Sequence, residues 1–140
     1  MASEQMWIAG EWTDAEDGST SDVLNPATGE VIATTPKATI ADVERCVAAS
    51  RAALNSKEWG AMDPAQRGRI LQKMAAATYA NAKSLAAIES SNNGKTFREA
   101  LSEIRYGAWT LEYFAGLSDK IEGSTIPVSY THLTLPTTKN

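Results

Sequence analysis

The residues of this chain able to do chemistry are few, and each requires a partner dictated by its type. Gly94-Lys95-Thr96 has the ending of a phosphate-binding loop, in which backbone amides wrap a phosphate and the lysine neutralises it. That loop requires a glycine five positions before Gly94, and the position is Glu89, whose carboxylate would repel the ligand. Gly94 reads instead as a helix stop and Thr96 as a helix start. Cys46 is the single thiol and His132 the single histidine. A nucleophilic cysteine needs a helix N-terminus or an adjacent base to become a thiolate. Cys46 falls mid-helix between Arg45 and Val47, far in sequence from His132, and reads as a small, partly buried filler.

Other constellations fail for similar reasons. A serine nucleophile needs a positioned base, and no Gly-x-Ser-x-Gly elbow is present. No Gly-x-Gly pair offers the usual dinucleotide fingerprint. One Cys and one His cannot assemble a zinc site without carboxylates, and no such cluster is visible. Glu99 and Glu103 lie one helical turn apart and imitate a catalytic carboxylate pair, but Glu99 is explained as a cap partner and Glu103 points off the apolar stripe. Trp109, Tyr113 and Phe114 could form a binding cage, yet their helical spacing is that of packing residues. No catalytic, cofactor-binding or metal-binding residue is assigned within these 140 residues.

The elements that would position such groups are legible. Residues 6–12 read as strand, tight turn at Gly10, strand. Asp14 to Ser21 is acidic and rich in Ser and Thr, a loop. Asp22 to Thr34 reads as strand, turn, strand, with Pro26 fixing one φ angle and Gly29 accepting a positive one. The spacing then predicts four helices. The first is capped by Thr39 with Asp42 in its first turn, and its inward face is Ile40, Val43, Val47 and Leu54. The second opens with Asp63-Pro64-Ala65-Gln66, a cap, a first-turn proline and a box-closing glutamine, with Ile70, Leu71, Met74 and Thr78 on one face. A short third helix spans Lys83 to Ser90 and stops before Asn92-Asn93-Gly94. The fourth starts at the capping box Thr96-Phe97-Arg98-Glu99 and carries Phe97, Leu101, Ile104, Ala108, Leu111 and Ala115 inward. Beyond Gly123 the chain becomes extended through Thr125-Ile126-Pro127-Val128. The fold expected is mostly α-helical, with one or two short N-terminal β-hairpins and an extended C-terminal strand.

Composition narrows the class. Hydrophobic residues make up 43% and charged residues 21%, as in a folded domain rather than a disordered chain. The net charge is −4. Seven acids (Glu4, Glu11, Asp14, Glu16, Asp17, Asp22, Glu30) and no Lys or Arg occupy residues 1–30. The bases between Arg67 and Arg105 are spread along helices, without the dense basic stripe that nucleic acid demands. No apolar run approaches a membrane span, and Met-Ala-Ser-Glu-Gln has none of the features of a signal peptide. The expectation is a cytoplasmic protein with neither nucleic-acid nor membrane partners.

Four local signatures, in order, resemble the aldehyde dehydrogenase superfamily. Trp7-Ile8-Ala9-Gly10-Glu11-Trp12 looks like that family's first hairpin, and Asn25-Pro26-Ala27-Thr28-Gly29-Glu30-Val31-Ile32 like its Asn-Pro-x-Thr-Gly-Glu turn. Glu89 followed by Asn93-Gly94-Lys95 resembles its Glu-x-x-x-Asn-Gly-Lys helix end. Tyr113-Phe114-Ala115-Gly116, Asp119, Gly123 and Ile126-Pro127 resemble the run into its oligomerisation strand. The resemblance covers about residues 6–128. It implies an α/β parent fold and places residues 1–128 in the N-terminal part of an NAD(P)-binding domain. It also implies a longer, homo-oligomeric parent that oxidises an aldehyde to its acid with NAD or NADP as hydride acceptor. The family's cysteine nucleophile, glutamate base and oxyanion-stabilising asparagine lie further on, and Cys46 does not fall at the nucleophile's position. The piece alone is therefore expected to be inactive and to bind no cofactor tightly. Some relatives hold a monovalent cation with carbonyls near Val23 and Leu24 and an acid at the position of Asn92, which is here an amide. Residues 129–140 depart from the family pattern and read as a disordered or foreign tail. The alternative reading is a stand-alone interaction module that packs against full-length dehydrogenase subunits or another partner.

Overall fold

The structure is a computed structural model and describes residues 2–123, 125–127 and 132–134, with side-chain surroundings from residue 4 to residue 123. The described strands form three small sheets. β1 (Ala2–Ser3) runs parallel to β5 (Val31–Pro36), which pairs antiparallel with β4 (Thr20–Leu24). β2 (Met6–Ile8) and β3 (Glu11–Thr13) form the first hairpin, in the register Met6 to Thr13, turning at Ala9 and Gly10 with φ of 56° and 88°. The Asn25–Glu30 turn closes the second hairpin, with Gly29 at φ 74° and a register shift between Val23 and Leu24. Both hairpins fall where the turn residues place them. The parallel strand β1 was not foreseen, since two residues carry no periodicity. β4 starts at Thr20, just inside the stretch read as a loop.

The helices are α1 (Ile40–Asn55), α2 (Lys57–Gly60), α3 (Pro64–Ala80), α4 (Ala82–Asn93) and α5 (Phe97–Leu117). α2 is the addition to the four expected, a single turn capped by the Ser56 side chain. The start signals do what local chemistry requires. Thr39 and Asp42 form a reciprocal capping box on α1. Asp63 accepts from the Ala65 amide at 2.7 Å with Pro64 in the first turn of α3, although Gln66 does not close a box there. Thr96 accepts from the Glu99 amide, and its hydroxyl donates to the Glu99 carboxylate at 2.8 Å. α4 ends on Gly94 in the left-handed region, φ 79°.

α5 is the organising helix of the second half, packed against both α3 and α4. Leu101, Ile104, Ala108, Leu111 and Ala115 turn inward as the spacing predicts, whereas Phe97 remains 46% exposed. α3 meets α5 backbone to backbone. A Cβ on Gly68 would lie 2.7 Å from the Ala115 carbonyl oxygen, so the approach requires glycine. α1 packs chiefly on α2 and on the first hairpin, not on the three-helix group. One close contact between the two halves is Pro26 against Gly94, where a Cβ would sit 2.9 Å from the proline ring.

What is buried is small. The fully covered apolar side chains among the described residues are Ala15, Ala75, Ala82, Ala86, Ala100, Ala108 and Ala115. The face of α1 expected to point inward is open: Ile40 is 80% exposed and Leu54 59%. Its apolar stripe is real, but none of the described residues covers it. After α5, β6 (Thr125–Pro127) supplies the expected extended segment and pairs antiparallel with β7 (His132–Thr134). The reading of residues 129–140 as a tail otherwise lies outside the described residues. No helix among the described residues is long and apolar enough to cross a membrane.

Candidate functional site

Three places gather the residues singled out by type. The first is the turn between α4 and α5. The Lys95 ammonium pairs with the Glu103 carboxylate in the second turn of α5 and with Glu89 at 3.2 Å on α4. Asn93 donates to Glu89 at 2.6 Å and accepts from the Lys95 amide at 3.0 Å. The hydrogen bond to Glu103, then that to Glu89, raises the Lys95 pKa above its ordinary value and keeps the group charged. This geometry explains the Glu-x-x-x-Asn-Gly-Lys signature without a ligand. The lysine ties two helices across a glycine turn, so it is engaged by carboxylates where a phosphate loop would need it free. Gly94 is the helix stop and Thr96 the helix start, as expected. Glu103 is 60% exposed and serves as an ion-pair partner.

The second place is the entrance to α1. Asp42 is 1% exposed and is the single buried charged residue among those described. Its carboxylate accepts from the Thr39 amide at 2.8 Å, the Glu16 amide at 3.2 Å, the Thr39 hydroxyl at 3.0 Å and the Arg45 guanidinium at 2.5 Å. The backbone hydrogen bond from Thr39 leads in holding this carboxyl far below the usual carboxylate range. Sequence spacing identified Asp42 as a helix-end acid. The Glu16 contact, 26 residues away, leaves no local signal. Held by four hydrogen bonds, Asp42 is a clasp between the β3–β4 loop and α1 rather than an acid–base group.

The third place is a groove of about 530 Å3 between the first hairpin and α1, lined by Trp7, Ile8, Cys46, Ala49 and Ala53. Cys46 is exposed here, not the partly buried filler expected, because the face of α1 on which it lies has no cover. Among the described residues no hydrogen bond from a base reaches its sulfur. The aromatic residues of α5 are likewise more open than packing residues should be. Tyr106, Trp109 and Tyr113 stack in sequence with centroids 5.5 and 6.0 Å apart, and Phe114 meets Tyr113 edge-on. Trp109 is 50% exposed.

These places are not brought together into one cleft with a nucleophile, a base and donors for developing charge. The hydroxyl–carboxylate pairs Thr39–Asp42 and Thr96–Glu99 sit at helix N-termini and satisfy caps. Among the described residues no group of three His, Cys, Asp or Glu side chains could hold a metal. Val23 and Leu24 end the β4 ladder at its register shift, and Asn92 is exposed near the end of α4.

A family model described as the aldehyde dehydrogenase family matches residues 12–139. The chain is 41% identical to human mitochondrial 10-formyltetrahydrofolate dehydrogenase over 126 residues, which is 89% of this chain and 14% of that protein. It is 43% identical over 129 residues to (Z)-2-((N-methylformamido)methylene)-5-hydroxybutyrolactone dehydrogenase of Acinetobacter baylyi, covering 91% of this chain and 26% of the relative. Its fold superposes on an NAD-dependent aldehyde dehydrogenase from Sinorhizobium meliloti with a TM-score of 0.84 and 38% identity, over 89% of this chain and 25% of that one. Betaine aldehyde dehydrogenase from Staphylococcus aureus, in complex with NAD+, gives 0.85 at 33% identity over 91% of this chain and 26% of its own. The chain thus spans about a quarter, or less, of each of these relatives.

Proposed function

The chain belongs to the aldehyde dehydrogenase family, and from that premise we propose that it is the first part of a longer subunit that oxidises an aldehyde to a carboxylic acid. NAD+ or NADP+ would accept the hydride. The observation that carries this reading is the match to the family over residues 12–139. The NAD+ complex of the S. aureus relative supports the cofactor class. Within such a subunit, residues 1–128 form the opening of the cofactor-binding domain and position helices. The parent is a cytoplasmic homo-oligomer acting on a small-molecule aldehyde, with no part in binding nucleic acid or membranes.

The piece by itself is inactive and holds no nicotinamide nucleotide tightly. Acyl transfer through a thiol needs a nucleophile, a base for the hydrolytic step and donors aimed at the oxyanion. Among the described residues Cys46 has none of these neighbours, and Lys95, Glu89 and Glu103 are committed to one another. Purified residues 1–140 should give no aldehyde-dependent rise in NADH or NADPH absorbance. Robust turnover would overturn the reading. The longer reading frame that contains this sequence should give that rise, and its failure across a panel of aldehydes would remove the proposed activity. A second reading, an interaction module that packs on other chains, is favoured by the large side chains left open on α1 and α5.

A further inference from the structure

We propose that Asn93 is a self-modification site held latent by the Glu89–Lys95–Glu103 cluster: when the α4–α5 turn opens, the Gly94 amide nitrogen attacks the Asn93 side chain and converts it to an acid. Asparagine is thermolabile, because the backbone nitrogen that follows it can close a cyclic imide on its side-chain carbon. A following glycine has no Cβ to hinder that attack. Asn93-Gly94 is the only Asn-Gly pair in the sequence. Asn55, Asn81 and Asn92 precede Ser56, Ala82 and Asn93, which carry side chains. Asn25 precedes Pro26, which has no amide hydrogen to lose. The fold cannot substitute a bulkier residue at the labile position. Gly94 has φ 79°, and a Cβ there would lie 2.9 Å from the Pro26 ring.

The atoms balance without a cofactor. The Gly94 nitrogen gives up its proton and bonds to Asn93 Cγ. The Cγ–Nδ2 bond breaks, and the side-chain nitrogen takes up that proton and leaves as ammonia. Water then opens the imide, leaving aspartate or its isomer with the backbone routed through the side chain. In the closed turn each of the reacting groups is held. The Gly94 amide donates to the Ser90 carbonyl at 3.0 Å. Asn93 Nδ2 donates to Glu89 at 2.6 Å, and Asn93 Oδ1 accepts from the Lys95 amide at 3.0 Å. The Ser90 hydroxyl donates to the Lys95 carbonyl at 2.7 Å, and the Lys95 ammonium ties Glu89 to Glu103. An amide bonded within a helix releases its proton only when that helix opens locally, so attack waits on the turn. The product does not close again. A carboxylate at residue 93 faces Glu89 where an amide had donated, and like charges repel. The isomer lengthens the backbone beside the Pro26–Gly94 contact. Opening is thereby written into the covalent structure.

The test incubates the full chain in mildly alkaline buffer, with and without guanidinium chloride, and follows each asparagine by peptide mass and fragmentation. Asn93 should convert at least tenfold more slowly in the folded chain than in denaturant, with the Gly94 amide protected from hydrogen exchange to match. Glu89→Ala removes the acceptor of the Asn93 amide on a helix that favours alanine, and should speed conversion at least fivefold. Glu89→Gln keeps an acceptor oxygen and should stay within twofold of the parent chain. Asn55, before Ser56 at the end of α1, reports general unfolding and should keep its rate in both variants. Equal Asn93 rates with and without denaturant, no acceleration in Glu89→Ala, or an acceleration shared by Asn55 would each overturn the proposal. Should circular dichroism show Glu89→Ala unfolded, the denaturant ratio and the Gly94 exchange rate of the parent chain decide the matter. Every readout is a mass, so the outcome stands apart from dehydrogenase activity.

Discussion

Asp42 shows how one side chain can join segments that sequence keeps apart. Its carboxylate takes two backbone amides, one from its own helix cap and one from Glu16 in the preceding loop. Removing the Thr39 hydroxyl should cost about 1 kcal/mol, the usual value of such a cap, read as a lower urea midpoint for Thr39→Ala. The pH dependence has a definite sign. The folded carboxyl lies below the unfolded value of about 4, so its contribution is complete above that pH and declines as the solution is acidified toward the folded pKa. Thermal midpoints measured from pH 7 to pH 2 should therefore fall more steeply for the parent chain than for Asp42→Asn, and parallel curves would refute the assignment. The Lys95 cluster should matter less. Its carboxylate partners are 37% and 60% exposed, so Glu103→Gln should change stability by less than about 1 kcal/mol in chemical denaturation. Residue types alone marked Thr39, Gly94 and Thr96 correctly, because capping is decided within four residues. They could not mark the Glu16 contact, and they misjudged Cys46, whose surroundings depend on a surface this chain does not cover.

At the scale of elements, two glycines carry the packing. At Gly68 a methyl group would press on the Ala115 carbonyl of α5, and backbone cannot move aside as a flexible side chain can. Gly68→Ala should destabilise the α3–α5 pair by about 1–3 kcal/mol, with slower-exchanging amides of both helices losing protection together. At Gly94 the penalty combines a left-handed backbone, about 1–2 kcal/mol for an L-residue, with crowding against Pro26. Gly94→Ala should therefore unfold at lower denaturant and loosen the second hairpin. Helix order and hairpin turns were readable because their signals are periodic or dipeptide-sized. The closeness of α3 and α5 was not, since a glycine within a helical pattern looks like a weak point until its neighbour is known. The inward face assigned to α1 illustrates the converse. Ile40, Val43, Val47 and Leu54 have the right period, but period specifies a stripe and not what the stripe meets.

For the whole molecule, the decisive fact is a covered interior made of alanines while residues such as Trp109 and Ile121, 50% and 82% exposed, stand outside. Each buried alanine contributes little transfer free energy beside a leucine or phenylalanine, so the isolated chain should unfold with low cooperativity and bind a hydrophobic dye. On size-exclusion chromatography it should elute in concentration-dependent associated forms, and a sharp monomer peak at all loadings would contradict this. So small a covered interior has a consequence for biosynthesis. In the longer subunit proposed above, a ribosome adding about 5–20 residues per second would need tens of seconds to make the remainder. For that interval the emerging segment would hold its helices by their caps and by the packing of α5 on α3 and α4, with stacked Tyr106, Trp109 and Tyr113 open to solvent.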